Sequence, residues 1–126
     1  MFIDTHAHLY GEEFDADRDD VIRRALAAGA EQIILPNVDE ASIEPMQRLC
    51  DAYPDLCLPT MGLQPEELPA DPRPLLDKME QLLATGRYAA VGEVGVDLYW
   101  DAGRREEQLA VFDREIRWAV RFDLPL

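Results

Sequence analysis

The only two histidines of this 126-residue chain stand two apart in "DTHAH", residues 4 to 8. Imidazole nitrogens are ligands for zinc, manganese, iron or cobalt. At the end of a strand, residues two apart share a face. His6 and His8 would then project together, roughly 6 to 7 Å apart along it. Asp4 falls on the same face and could orient a histidine as a supporting carboxylate. The competing reading is a pair of partly exposed histidines with no ligand, since H-x-H alone is a weak signal.

Glu93 is the second candidate. It interrupts the apolar run of "AAVGEVGV" (89–96), and a buried carboxylate is costly unless paired or bound to metal. Its two oxygens can bridge two ions roughly 3.5 to 4 Å apart. The alternative is an ion pair with an arginine. Gly92 and Gly95 flank it and let neighbours approach the backbone closely. Tyr99 and Trp100 follow and could pack back onto the core.

The elements that must position these residues alternate along the chain. "MFIDT", "QIIL" (32–35), "LCLPTMG" (56–62) and "AAVGEVGV" read as four strands, Pro59 being an uncomfortable member of the third. Between and after them run four helical stripes. The first holds Val21, Ile22, Ala25 and Leu26, stopped by Gly29. The second holds Ile43, Met46, Leu49, Cys50 and Tyr53, with Ser42 as N-cap and Pro45 near the first turn. The third holds Leu75, Leu76, Met79, Leu82 and Leu83, and the fourth Leu109, Phe112, Ile116, Ala119 and Val120. Four βα units in succession predict a parallel sheet with right-handed crossovers. In such folds the chemistry sits at the C-terminal ends of the strands. That is where His6 and His8 would fall.

Twelve Lys and Arg face 26 Asp and Glu, a formal net charge of -14, and Lys78 is the single lysine. This argues against loose attraction to nucleic acid or anionic membrane. No apolar stretch approaches the roughly 20 residues of a membrane span. The N-terminal residues lack a secretory pattern, and Cys50 and Cys57 both fall in apolar patterns. They read as buried free thiols in a reduced, cytoplasmic compartment.

The stretches "FIDTHAHL", "GLQPEEL" and "GEVGVDLYWD" together resemble the N-terminal landmarks of the TatD family of metal-dependent deoxyribonucleases, in the amidohydrolase-like superfamily. "PNVD", "IEPM" and "EEQLAVFDREI" extend the likeness along essentially the whole chain. The resemblance implies an α/β fold, a (β/α)8 TIM barrel, with residues 1–126 the N-terminal half of its single domain and about its first four βα units. It implies that His6 and His8 are the first two metal ligands. Glu93 would be the carboxylate bridging two divalent ions, magnesium, manganese or zinc. It also implies a metal-activated water that cleaves phosphodiester bonds of DNA, often at a 3′ end. For such a substrate Tyr99 and Trp100, after the fourth strand, either offer a base a stacking face worth roughly 1 to 3 kcal/mol or pack on the core. The single lysine favours an end or a short single strand over duplex tracking.

Two departures stand out. The family commonly places histidine in a G-x-H-P motif, where this chain has "GLQP" with Gln64. Glutamine can contact a phosphate but cannot gain positive charge. Family members are also roughly twice as long, and their remaining ligands and expected base come from later strands, so no catalytic base is expected within residues 1–126. The chain by itself is therefore expected to be inactive, and its open sheet edges to take a second half-barrel or to self-associate. Two alternatives are a same-fold hydrolase of a small ester, lactone or amide, and a non-catalytic half-barrel binding a partner.

Overall fold

The computed structural model describes all 126 residues. Four strands, β1 (Phe2–Asp4), β2 (Ala30–Leu35), β3 (Cys57–Met61) and β4 (Ala90–Val91), alternate with four helices, α1 (Arg18–Ala27), α2 (Glu40–Ala52), α3 (Arg73–Leu83) and α4 (Arg105–Phe122). The sheet runs in the order β1-β2-β3-β4 and every pairing is parallel. Sequential parallel neighbours need a crossover between them, and a helix supplies each one.

Alternation along the strands sorts the two faces of the sheet. Ile33, Leu35, Cys57 and Met61 are buried in one apolar core with Ile43, Met46, Leu76, Met79 and Leu83 from the helices. Ile34 and Thr60 instead line a hollow of about 520 Å³ on the other face, together with Thr5, His6, Pro36 and Glu93. Pro59 does sit within β3. It lacks an N–H, but its carbonyl oxygen accepts from the N–H of Ala89 at 2.9 Å, so it still serves the ladder toward β4.

Four expectations need correction. The fourth strand is two residues long rather than eight. Beyond Val91, the N–H of Glu93 turns away to the carbonyl of Asn37, and Gly95 takes φ +145°. The N-cap of α2 is Asp39, not Ser42. Its carboxylate accepts from the N–H of Ser42 at 2.8 Å, while the Ser42 hydroxyl accepts from the N–H of Asp39 at 3.0 Å, a reciprocal capping box. Pro45 consequently lies inside the helix, in its second turn. Finally, α4 buries Gln108, Val111, Glu115, Trp118 and Ala119, whereas Leu109, Ile116 and Val120 are exposed. The helix is rotated relative to its apolar pattern because two polar side chains are turned inward to serve loop backbone.

No helix is long and apolar enough to cross a membrane. Cys50 and Cys57 are free and buried, and burial pushes their thiols up to about 12 and about 11.

Candidate metal centre

The segment after β1 carries both histidines, and Arg18 at the start of α1 fastens it. The guanidinium donates to the carbonyls of Leu9, Tyr10 and Gly11 at 2.7, 3.2 and 2.8 Å. Asp4 accepts from the backbone N–H of His6 at 3.0 Å, so it steadies the histidine through its main chain rather than through the ring.

Glu93 arrives from the other end of the sheet. It stands two residues past β4 instead of within a strand, and its side chain is 29% exposed rather than buried. No arginine pairs with it. Oε2 lies 3.4 Å from Nε2 of His6 and 3.5 Å from Nε2 of His8, and the two Nε2 atoms are 3.0 Å apart. The three side chains thus converge across more than 80 residues of sequence, at the C-terminal ends of the first and fourth strands.

The donor set suits a divalent transition metal. Two ligand atoms at roughly 2.0 to 2.2 Å from one ion lie no more than about 4.4 Å apart, and all three separations are shorter than that. The two Nε2 atoms, 3.0 Å apart, can share a proton in a hydrogen bond, and a divalent cation bound by all three groups would take that proton's place.

Loops that carry no ligand hold this geometry. Asn37, two residues past β2, is wholly buried. Its Nδ2 donates to the carbonyls of Gly62 (2.9 Å) and Asp39 (3.0 Å), and its Oδ1 accepts from the Ser42 hydroxyl (3.0 Å). A Cβ at Gly62 would stand 2.7 Å from the carbonyl oxygen of Glu93, so only glycine lets the loop after β3 lie against that of Glu93. Thr60 donates to the carbonyl of Gly92 at 2.6 Å. From α4, Glu115 accepts from the N–H of Leu63 at 2.8 Å.

The remaining candidates are not seen to touch this centre. The Gln64 side chain caps a short 3-10 turn, accepting from the N–H of Glu66 at 2.8 Å. Tyr99 and Trp100 do not pack on the core; they are 83% and 72% exposed and meet edge to face, with ring centroids 4.6 Å apart. Asp97 accepts from both of their backbone N–H groups. Gln108 clamps the same loop, accepting from the N–H of Asp97 at 2.8 Å and donating to the carbonyls of Asp97 and Asp101 at 3.0 Å.

Sequence reasoning missed Tyr10, Asn37, Gln108 and Glu115. Asn37 gave a signal, a polar residue two positions past an apolar strand. So did Gln108 and Glu115, seven residues apart on one helix. Tyr10 gave none beyond its nearness to His8.

A family model described as TatD related DNase matches residues 3–126. The uncharacterized metal-dependent hydrolase YabD of Bacillus subtilis is 32% identical over 126 residues, covering 100% of this chain and 49% of its own length. The crystal structure of YjjV, a TatD homolog from Escherichia coli, superposes with a TM-score of 0.88 at 32% identity, over 98% of this chain and 48% of that one. The 3′-5′ ssDNA/RNA exonuclease TatD of Pantoea vagans is 25% identical over 123 residues, covering 98% of this chain and 47% of its own length. The chain spans about half the length of the relatives it matches. The four parallel βα units correspond to the first four of a TIM barrel, as the sequence predicts.

Proposed function

This chain belongs to the TatD-related DNase family, and from that premise we propose that it forms part of a metal-dependent hydrolase acting on phosphodiester bonds of DNA. The observation that carries the reading is the convergence of His6, His8 and Glu93 within 4.8 Å of one another. A bound divalent ion would supply an activated water and charge stabilisation at phosphorus. His6 and His8 would hold that ion through Nε2, and Glu93 through Oε2. The carboxylate has a second oxygen, Oε1, for a second ion, and two is the number we propose. Asp4 supports the site by fixing the backbone of His6.

The substrate we favour is a single strand or a 3′ end. One relative is named for 3′-5′ exonuclease action on single-stranded DNA and RNA. The exposed Tyr99–Trp100 pair offers bases a stacking surface. The single lysine, Lys78, is paired with Glu40 at 3.0 Å, which suits tracking along a duplex poorly. Gln64 is the phosphate contact we assign on the loop after β3. The free, buried thiols fit a reduced, cytoplasmic setting. Residues 1–126 are read as one half of a single barrel domain. By themselves they should bind metal weakly and turn over nothing.

The test pairs a 3′-ended single-stranded oligonucleotide with a panel of small esters and lactones, in manganese, magnesium or zinc, with chelator controls. The assay is run on this chain and on a version extended to the length of its relatives. Cleavage of the oligonucleotide by the extended protein, abolished by His6→Ala and by Glu93→Gln, is the expected result. Turnover of esters alone would move the assignment to small-molecule hydrolysis. Chelator-resistant activity would remove the metal reading.

A further inference from the structure

His8 uses one ring nitrogen toward His6 and Glu93 and the other toward Tyr10. Its Nδ1 lies 2.7 Å from the Tyr10 hydroxyl oxygen, and that hydroxyl lies 2.5 Å from the carbonyl oxygen of Pro36. The rings meet edge to face with centroids 5.6 Å apart, and Tyr10 is buried.

This short chain of contacts favours one set of protons. A carbonyl oxygen can only accept, so the single phenolic hydrogen goes to Pro36. The Tyr10 oxygen must then accept from His8, which places the imidazole proton on Nδ1. In the neutral ring Nε2 then keeps its lone pair, beside Nε2 of His6 at 3.0 Å and Oε2 of Glu93 at 3.5 Å. The opposite tautomer would require Tyr10 to donate to Nδ1. It would strip the buried Pro36 carbonyl of its partner, and a buried acceptor left without a donor is destabilising.

We propose that Tyr10 is a positioning residue that fixes the tautomer and the rotation of His8, and thereby sets the affinity of the His6–His8–Glu93 centre for a divalent ion. The proposal rests on the metal reading above. A supporting partner behind a ligating histidine is commonly a carboxylate, which adds basicity to the ring. Here a neutral phenol does the orienting, tethered to the end of β2, so the ring is held without added negative charge. His8 is thus tied at once to β2 through Tyr10 and to α1 through the Arg18 contacts with the same segment.

The experiment uses Tyr10→Phe, which removes the hydroxyl and keeps the ring. Long-range proton–nitrogen NMR reports which imidazole nitrogen of His8 is protonated, and titration with cobalt(II) reports affinity. In the unsubstituted, metal-free chain near pH 8, His8 should be protonated at Nδ1. In Tyr10→Phe that preference should be lost and cobalt affinity should fall about 10- to 100-fold, the usual effect of removing such a partner. An Nε2-protonated ring in the unsubstituted chain overturns the proposal whether or not the variant folds. So does an unchanged affinity in Tyr10→Phe. A loss of affinity with the tautomer unchanged also overturns it, because that is what a packing role alone would produce. Failure of the unsubstituted chain to bind cobalt would instead sink the metal reading and with it the affinity half of the proposal. The position of the ring proton would still decide whether Tyr10 orients His8.

Discussion

The backbone N–H of Glu93 donates to the carbonyl oxygen of Asn37 at 2.8 Å. A carboxylate that follows the fourth strand is therefore held by a residue that follows the second, across the intervening third. The Asn37 side chain secures the third through the carbonyl of Gly62. Replacing Asn37 with alanine would leave that buried carbonyl without its donor. Asn37→Ala should cost about 1 to 3 kcal/mol of stability in urea unfolding and weaken metal binding. An unchanged unfolding midpoint would refute the role.

Gly62→Ala should act on the same contact by steric means. The added methyl would meet the Glu93 carbonyl oxygen at 2.7 Å and the Gly92 carbonyl carbon at 2.8 Å, both backbone atoms that cannot swing aside. The expected cost is about 1 to 3 kcal/mol, with a lower affinity for cobalt(II). Wild-type affinity at wild-type stability would show that the loop can retreat from Glu93 without consequence.

Glu115 predicts a pH dependence. It is fully buried, its Oε2 has no partner, and burial pushes its carboxyl up to about 8 from the ordinary 4.5. Between those values the folded chain retains a proton that the unfolded chain has released. The contribution of Glu115 to stability is thus fully present below about pH 4.5 and is lost as pH rises through about 8. Glu115→Gln keeps an oxygen for the N–H of Leu63 and cannot ionise. The stability of this variant relative to the unsubstituted chain should rise between pH 5 and pH 9, on the scale of a few kcal/mol. The carboxylates of Glu80 and Glu107, held low by their arginine partners, titrate alike in both chains and cancel. A constant difference across that range would refute the prediction.

The aromatic pair should separate binding from stability. Tyr99→Ala and Trp100→Ala remove exposed rings, so melting should change by no more than about 0.5 kcal/mol. If the rings stack bases, each substitution should weaken single-stranded oligonucleotide binding by about 1 to 3 kcal/mol, measurable by fluorescence anisotropy. Equal binding by the unsubstituted and substituted chains would take the rings out of the substrate site.

The sequence carried the topology because strands and helices differ in apolar period, and each of the four units kept its period. It singled out His6, His8 and Glu93, which the fold brings together, because two histidines at the end of the first strand and a carboxylate interrupting an apolar run have few other reasons to be there. It misplaced the α4 face and shortened no strand, for one shared cause. Gln108, Glu115 and Asn37 are buried to satisfy backbone groups of distant loops, and no local pattern announces such a demand. The length of β4 failed similarly. An apolar run says that a segment is buried, but the destination of the Glu93 N–H decides where the ladder stops. Ser42 was placed in the right cap and given the wrong half of it.

Gln108 and Glu115 sit seven residues apart on α4, two turns or about 10.5 Å along one stiff rod. The first grips the segment leading to the Tyr99–Trp100 pair, and the second grips the loop lying against Glu93. A rod gripping two loops couples them mechanically. A small roll or slide of α4 would tilt the aromatic pair and shift the Glu93 loop in the same stroke. Relaxation-dispersion NMR should accordingly find one shared exchange rate for the backbone amides of Leu63 and Asp97, not two.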